Sequence, residues 1–376
     1  MKNLSRRDFL VTASAATLAA AAAPGFASTA RQRVFIASSD PDGILAYDWD
    51  PATGELTAAG VAAKIDKVAW ITYSAAHEYI FSASELSSFN GKATGEVASF
   101  RVENGKLHPL SAKNSAGVGT CHVALDRTGK VLVAADYVGG SAASFQVTAG
   151  QLSDPVWTEH YTAHGPNQER QSTAHAHFCS YSPDNRFVYI NDLGGDCIHI
   201  YALNTSTAAL TPAGTYHGVP GSGARTLHFH PNSHTAYCIN ELVSTVDVLD
   251  WHKADGTLTL ANRIELLPAD YHGPTRACDT VISRDGKFVY FANRDNDFLY
   301  TFKSDPKTGS LAPVVRSNCG GKTPRNFVLD PTERWMLVAN QDSNVIGVFA
   351  RNPETGALAN EGKSYPATAP MRILFR

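Results

Sequence analysis

The chain has 376 residues, a formal net charge of −3 and 43% hydrophobic residues. Lysine and arginine form no block beyond the extreme N-terminus, which argues against binding to nucleic acid or to an anionic membrane surface. A small molecule is the expected ligand.

The first 30 residues have the features of a twin-arginine export signal. A pair of arginines, Arg6 and Arg7, precedes an alanine-rich apolar stretch over residues 11–23, and small residues near position 30 offer a cleavage site. The apolar run is shorter than the roughly 20 residues that a membrane span needs. We therefore expect a cleaved signal, no membrane association, and a mature domain of residues 31–376 in the periplasm or outside the cell. The twin-arginine export machinery would be its partner during translocation.

The mature chain begins in the middle of a structural repeat. Residues 34–39 and 44–49 have the pattern of a second and a third strand, and the unit lacks a first strand of its own. Residues 370–375, at the other end, have the character of a first strand with no partner after it. We expect this last strand to pair into the first unit and close a ring, which removes exposed sheet edges.

A self-similar all-β unit of about 50 residues recurs along the chain. Its second strand is found at residues 34–39, 79–85, 131–137, 187–192, 236–242, 288–294 and 335–341. Turns rich in Gly, Asn and Asp stand at the same hairpin at residues 127–130, 183–186 and 284–287. The pattern predicts an all-β fold with one domain, a seven-bladed β-propeller of four-stranded blades without a helix of consequence.

One long irregular stretch, residues 164–173, crosses from the third unit to the fourth. It leads directly into the His-x-His sequence at His175 and His177. Long connections without secondary structure in a compact fold are usually functional or mobile.

Alignment of the repeats predicts which residues surround one mouth of the central channel. The first strand of a blade lines the channel and the second runs antiparallel to it, so the start of the first and the end of the second open on one face. The second strands end at Ser39, Glu85, Tyr137, Leu193, Glu241, Arg294 and Gln341. The first strands start at Cys121, His177, Arg225, Cys278 and Arg325, with the first two units unassigned.

Units four to six bring His177, Arg225, Glu241 and Arg294 together on this rim. Charged groups that converge on a partly buried cavity destabilise the fold unless they form ion pairs or serve a function. These four residues are therefore the candidate catalytic residues. The alternative is that Arg225 and Glu241 form an ion pair that merely ties two strands of one blade together. If the residues act in catalysis, replacing Arg225 or Glu241 should lower turnover and leave thermal stability nearly intact.

Two His-x-His pairs, His175/His177 and His228/His230, raise the question of a metal because alternate residues of a strand share a face. The pairs differ in register, since His177 aligns with Arg225. We expect no metal in the site, and the chain has no Gly-rich phosphate loop or haem-attachment motif that would indicate another cofactor. The six cysteines lack Cys-x-x-Cys spacing and several lie in apolar strands, so we expect buried, unpaired thiols.

Over essentially the whole mature chain, the sequence resembles the seven-bladed β-propeller lactonases, the family of 6-phosphogluconolactonase and carboxymuconate lactonising enzyme. The segments that carry the resemblance are residues 121–123, 165–171, 174–177, 225, 229–232, 237–242 and 293–294. The resemblance implies that His177, Arg225, Glu241 and Arg294 form the active site, the same set that the alignment of repeats indicates. Gln168 stands where the family usually has proline, which suggests a mouth of different shape.

From this resemblance we expect hydrolysis of a sugar-type lactone that carries an anionic group. Arg225 and Arg294 would hold the anion and stabilise the oxyanion, and either Glu241 or His177 would be the general base. The alternatives are a carboxymuconate-type lactonising cycloisomerase and a non-catalytic ligand-binding propeller. Further substrate contacts are expected from His122, Tyr137, His175, Arg276 and Arg325.

Overall fold

The computed structural model describes residues 31–376. All secondary-structure elements in that range are β-strands. The predicted export signal, residues 1–30, lies outside the described residues. Within the described range, no helix has the length and apolar character needed to cross a membrane.

The strands follow one another blade by blade. Blade 1 begins with β1 (Gln32–Ser38), β2 (Ile44–Asp50) and β3 (Glu55–Ala63). Blade 2 has β4 (Val68–Tyr73), β5 (Tyr79–Ser84), β6 (Glu96–Glu103) and β7 (Lys106–Asn114). Blade 3 has β8 (Thr120–Leu125), β9 (Val131–Asp136), β10 (Ser141–Thr148), β11 (Gln151–Leu152) and β12 (Trp157–His160). Blade 4 has β13 (Ala176–Tyr181), β14 (Phe187–Asp192), β15 (Cys197–Leu203) and β16 (Leu210–His217).

The second half of the ring continues in the same order. Blade 5 has β17 (Ala224–Phe229), β18 (Thr235–Asn240), β19 (Thr245–Trp251) and β20 (Leu258–Glu265). Blade 6 has β21 (Ala277–Ile282), β22 (Phe288–Asn293), β23 (Phe298–Ser304) and β24 (Leu311–Asn318). Blade 7 has β25 (Pro324–Leu329), β26 (Trp335–Asn340), β27 (Val345–Ala350) and β28 (Lys363–Pro366). The last strand of the chain is β29 (Pro370–Phe375).

The sheets are antiparallel, and their strand order confirms the predicted propeller of seven four-stranded blades. Blade 3 departs in detail, because its outer strand is split into β11 and β12, which each pair with part of β10. β29 is the innermost strand of blade 1, in the order β29-β1-β2-β3.

The ring closes through the two ends of the chain. β29 pairs antiparallel with β1, from Val34 opposite Phe375 to Ser38 opposite Pro370. The innermost strands of neighbouring blades contact one another around the channel, including β25 with β29 and β29 with β4. The predicted closure by the C-terminal strand is therefore present.

The hydrophobic core lies between the blades. The described residues contain seven clusters of buried apolar side chains, each built from two neighbouring blades. The second strand of a blade is covered on both faces by the neighbouring blades. For this reason β9, β14, β18 and β22 are buried along their whole length. This double burial explains why the second strands have continuous apolar sequences. All six cysteines lie within the described range as buried free thiols, as expected.

The turn between the first and second strands needs a residue in the left-handed conformation. Gly129, Asn185 and Gly286 occupy equivalent places with φ angles of 71°, 62° and 70°. Glycine and asparagine adopt this conformation at low cost, which explains why the repeated turn selects them.

Candidate active site

Each innermost strand carries a β-bulge near its start. In blade 5, Ala224 pairs with Asn240 and Thr226 pairs with Ile239, so Arg225 between them has no partner on β18. A bulge re-aims the side chain of the unpaired residue. The residues left out of pairing in the other blades are Ala69, Cys121, His177, Cys278 with Asp279, Arg325 and Met371. They include every residue that the repeats predicted at the start of a first strand.

A cavity of about 210 Å³ opens where these bulges meet the ends of the second strands. Its lining residues are Glu85, Cys121, Tyr137, Arg170, His177, Glu241, Arg294 and Arg325. All of them except Arg170 belong to the rim predicted from the repeats. The cavity therefore combines residues from blades 2 to 7 with one residue from the segment that crosses between blades 3 and 4.

The carboxylate of Glu241 is buried among three guanidinium groups. Arg225 Nε donates a hydrogen bond to Oε2 at 2.8 Å, and Arg170 Nη2 donates one to Oε1 at 2.6 Å. Arg294 Nη2 lies 2.8 Å from Oε2 as an ion pair. Burial by itself raises the pKa of the Glu241 carboxyl, but the charges of Arg294 and Arg225 outweigh it and hold that pKa well below its ordinary value. The carboxylate is thus ionised at neutral pH, with both oxygens engaged.

The ion pair considered as an alternative to catalysis is present, but it is one contact of a larger network. Arg170 and Arg294 share the same carboxylate, and Arg225 also donates through Nη1 to the carbonyl oxygen of Cys278 in blade 6. Removing one partner of a buried ion pair leaves the others uncompensated. Unlike the expectation from the sequence, we therefore expect that replacing Arg225 or Glu241 lowers the stability of the fold.

Arg170 reaches the cavity because the neighbouring Gln171 anchors the crossing segment. Gln171 is fully buried, and its Nε2 donates to the Leu193 carbonyl at 2.9 Å and to Asp196 Oδ1 at 2.7 Å. The backbone N–H groups of Arg170 and Gln171 both donate to the carbonyl of Asn167. Arg170 lies outside the repeat, so alignment of the repeats could not identify it. The unusual length of the crossing segment was the signal for a functional residue there.

His177 faces the cavity as a neutral imidazole. Its Nδ1 is buried and has no hydrogen-bond partner among the described residues, and its ring meets that of Tyr137 edge to face at 5.5 Å. Burial and, secondly, the charge of Arg225 lower the pKa of His177 well below its ordinary value. The ring is therefore uncharged at neutral pH and able to accept a proton.

Two charged residues of the cavity wall have no ion-pair partner. The side chains of Arg325 and Glu85 make no hydrogen bond or salt bridge with another residue in the described part of the chain. Arg170, Arg225 and Arg294, in contrast, all contact Glu241. Arg325 is thus the guanidinium left available for an incoming anion.

Of the five predicted substrate contacts, Tyr137 and Arg325 line the cavity. His122 does not, because its ring packs deeper in the channel between Trp70 and Phe178, at centroid distances of 4.4 and 3.9 Å. His122 comes directly after the bulged residue of its strand, at a position where regular pairing with the neighbouring strand has resumed. His122 lines a second, smaller space in the channel together with His177, Arg225 and Arg325, so its contact with substrate stays a prediction.

His175 and Arg276 also lie outside the cavity. The ring of His175 stacks on Tyr137 at 4.4 Å, and its Nδ1 is 2.8 Å from the Tyr137 carbonyl oxygen. Arg276 is exposed, and its guanidinium is held at the surface by Asp295 at 2.9 Å. Neither residue lines the cavity, so their contacts with substrate stay predictions.

The two His-x-His pairs do not form a common cluster among the described residues. His228 Nε2 is 3.0 Å from Asp279 Oδ1, and His230 Nε2 is 2.8 Å from the carbonyl oxygen of Gly286. Each of these histidines thus has its own structural partner.

Comparison with known proteins places the chain among lactonases. A family model described as "Lactonase, 7-bladed beta-propeller" matches residues 30–375. The 6-phosphogluconolactonase of Bacillus subtilis is 29% identical over 299 residues, which cover 79% of this chain and 83% of the relative. The 6-phosphogluconolactonase of Formosa agariphila is 31% identical over 312 residues, with coverages of 79% and 84%.

Solved structures give the same result. The periplasmic gluconolactonase PpgL of Pseudomonas aeruginosa superposes with a TM-score of 0.86 at 28% identity, covering 92% of this chain and 99% of that one. A putative 6-phosphogluconolactonase from Bacteroides fragilis superposes with a TM-score of 0.85 at 27% identity, covering 94% and 100%.

The burial of Glu241 predicts a large effect of charge removal on stability. Glu241→Gln leaves buried guanidiniums without a counter-charge, so the free energy of unfolding at pH 7 should fall by roughly 3–5 kcal/mol. The control Glu361→Gln, at an exposed position, should change it by less than about 0.5 kcal/mol. Denaturant titration measures both.

The effect of Glu241→Gln on the free energy of unfolding should depend on pH. Because the folded-state pKa of Glu241 is depressed, the stabilisation is present above its unfolded pKa of about 4.3 and is lost as the pH falls through the folded value. The stability difference between wild type and Glu241→Gln should therefore shrink below about pH 4. A difference that stays constant in acid would contradict a role for the charge.

Proposed function

Because the chain belongs to the family of seven-bladed β-propeller lactonases, we propose that it hydrolyses a sugar-type lactone bearing a phosphate or carboxylate group. The observation that carries this proposal is the cavity, where the neutral imidazole of His177 and the guanidinium of Arg325, unpaired within the described range, line one space. The relatives named 6-phosphogluconolactonase support the substrate class.

In this proposal Arg325 is the principal anion-binding residue. An arginine can bind phosphate or carboxylate through two parallel hydrogen bonds, and the Arg325 side chain has no competing partner within residues 31–376. Glu85, whose side chain also has no partner among the described residues, accepts hydrogen bonds from sugar hydroxyl groups. The role first expected for Arg225 changes: it is 4% exposed and bound to Glu241 and to Cys278, so it positions Glu241 and does not hold the anion.

His177 is the general base. The oxygen of water bonds to the lactone carbonyl carbon while His177 takes the proton, and negative charge develops on the carbonyl oxygen. The ring C–O bond then breaks, and His177 returns the proton to the ring oxygen. Glu241 is the poorer base, because its two oxygens are engaged by guanidiniums and its pKa is depressed. A bound anion opposes the nearby arginine charges and so raises the pKa of His177 relative to the free site.

The developing oxyanion is stabilised by Arg294 and Arg170. Arg294 Nε is buried without a hydrogen-bond partner among the described residues, so a donor is available for the carbonyl oxygen. Glu241 holds both guanidiniums in place before substrate arrives. Donors oriented in advance toward the charge of the transition state pay no reorganisation cost during the reaction.

We further propose that the protein acts in the periplasm. The paired arginines and alanine-rich stretch of residues 1–30 support export, as does the similarity to a gluconolactonase named periplasmic. Replacing Arg6 and Arg7 together by lysine should move the full-length protein from the periplasmic to the cytoplasmic fraction of fractionated cells. An unchanged distribution would contradict the export signal.

The reaction is tested by a panel of phosphorylated and unphosphorylated aldonolactones in water enriched in oxygen-18. Hydrolysis installs one solvent oxygen in the carboxylate of the product, whereas a cycloisomerase installs none. Failure to turn over every lactone, with a lactone still raising the melting temperature, would favour the non-catalytic ligand-binding propeller.

Arg325→Gln should raise the KM for an anionic lactone by roughly 10- to 100-fold, because a charge-assisted hydrogen bond is lost. The kcat should change little, and the preference for anionic over neutral lactones should disappear. Arg276→Gln, which removes an arginine from the rim outside the cavity, is the matched control and should keep that preference. Equal effects of both substitutions would argue against a specific anion site at Arg325.

His177→Gln should lower kcat by roughly 10²- to 10⁴-fold, the usual contribution of a general base. Because the pKa of His177 is depressed, kcat/KM of the wild type should stay flat through about pH 6.5 and fall only at more acidic pH. The variant should lack that acid limb, and His217→Gln, outside the cavity, should retain it. A variant with normal kcat would remove His177 from the mechanism.

A further inference from the structure

A second group of reactive side chains lies in blade 4, outside the cavity. Asp192 at the end of β14 is directly opposite Cys197 at the start of β15, and His199 follows two residues later. Alternate residues of a strand share a face, so Cys197 and His199 project to the same side. Cross-strand pairing and strand alternation thus bring a carboxylate, a thiol and an imidazole together.

The distances between the three ligand atoms suit a tetrahedral metal ion. Cys197 Sγ is 3.5 Å from His199 Nε2, Nε2 is 3.6 Å from Asp192 Oδ2, and all three atoms lie within 4.8 Å of one another. Zinc bonds of about 2.3 Å to sulfur and about 2.0–2.2 Å to nitrogen and oxygen place neighbouring ligand atoms roughly 3.4–3.6 Å apart in a tetrahedron. Two of the observed separations therefore already match.

The Asp192 carboxylate supplies an independent observation. Asp192 is fully buried, and its Oδ2 has no hydrogen-bond partner among the described residues. The other oxygen, Oδ1, accepts hydrogen bonds from the backbone N–H groups of His175 at 2.7 Å and Gly195 at 3.0 Å. Contacts of this kind orient the ligands of metal sites. A buried carboxylate oxygen directed at a thiol and an imidazole needs a cation or a proton.

The arrangement differs from a catalytic thiol triad. In such a triad the thiol and the carboxylate contact different nitrogens of the imidazole. Here Cys197 Sγ and Asp192 Oδ2 both approach Nε2 of His199. Convergence on one side of the ring is the geometry of a shared central ion.

We propose that Asp192, Cys197 and His199 bind one Zn²⁺ ion, with solvent as the fourth ligand. A thiolate, an imidazole and a carboxylate are all ligands that zinc accepts in proteins. His199 is 18% exposed at its side chain and provides a route for the ion, while the Tyr161 ring stacks on it at 4.0 Å and fixes its plane.

The site is structural. None of its three ligands lines the cavity, so the ion does not contact the lactone. Asp192 holds the backbone of His175, two residues before the proposed base His177, and the ion would rigidify this side of the rim. The proposal is independent of lactone hydrolysis, and it adds a metal where none was expected from the sequence.

The test uses the full mature chain without a histidine tag, stripped with chelator and then dialysed against zinc chloride or cobalt chloride. We expect one zinc ion per chain by mass spectrometry. Bound cobalt should give a thiolate-to-cobalt charge-transfer band. Replacing an outer partner of a metal ligand typically costs about 10- to 100-fold in affinity, so replacing the ligand in Cys197→Ser or His199→Asn should cost more than roughly 100-fold.

Two control variants separate this site from others. Cys319→Ser removes another buried thiol, and His177→Gln changes the cavity, so both should retain one zinc ion and the cobalt band. Loss of zinc from His177→Gln alone would place the metal in the cavity and overturn the proposal. A thiolate-to-cobalt charge-transfer band that persists in Cys197→Ser would also overturn the proposal.

The wild-type chain also tests the proposal without any variant. X-ray absorption of the zinc-loaded protein should show one sulfur with nitrogen and oxygen ligands. A chain that binds no zinc stoichiometrically, or zinc without a sulfur ligand, would mean that the three groups form only a hydrogen-bonded cluster.

Discussion

The β-bulge near the start of every innermost strand is the constraint on which the site depends. A regular strand alternates its side chains between the two faces of its blade, where they pack against neighbouring blades. One or two irregular positions in each blade break this alternation and re-aim a side chain. His177, Arg225 and Arg325 reach the channel for this reason, while the residues around them keep the sheet paired. The fold can therefore stay constant while the bulged residues vary.

Glu241 determines which of the converging cations remain available. A buried carboxylate is stable only with compensating charges, and a group of buried guanidiniums is stable only with an anion among them. Glu241 meets both conditions by contacting Arg170, Arg225 and Arg294. Arg325 as a result has no ion-pair partner in the part of the chain that the structure describes. The groups proposed to stabilise the transition state are thus also part of what holds blades 5 and 6 and the crossing segment together.

Blade 4 is where the crossing segment is attached to the propeller. Gln171 and Asp196 fasten the crossing segment to this blade, and Asp192 fastens the backbone of His175. Gln171 belongs to the crossing segment, outside the repeat, so alignment of the repeats carries no information about its contacts. His122 belongs to the repeat, but its residue type alone did not indicate that its ring would pack between Trp70 and Phe178.

The sequence by itself determined the propeller, its seven blades, the closure by the last strand and the rim positions, because these follow from local rules of strand alternation, turn conformation and pairing. Only the tertiary structure decided the charge pairing at the rim. Arg170 joins Glu241 across 71 residues of sequence from a segment outside the repeat. That contact, with those of Arg225 and Arg294, leaves Arg325 without an ion pair among residues 31–376. Ion pairing depends on separations of a few ångströms between distant segments, and no local pattern in the sequence encodes such distances.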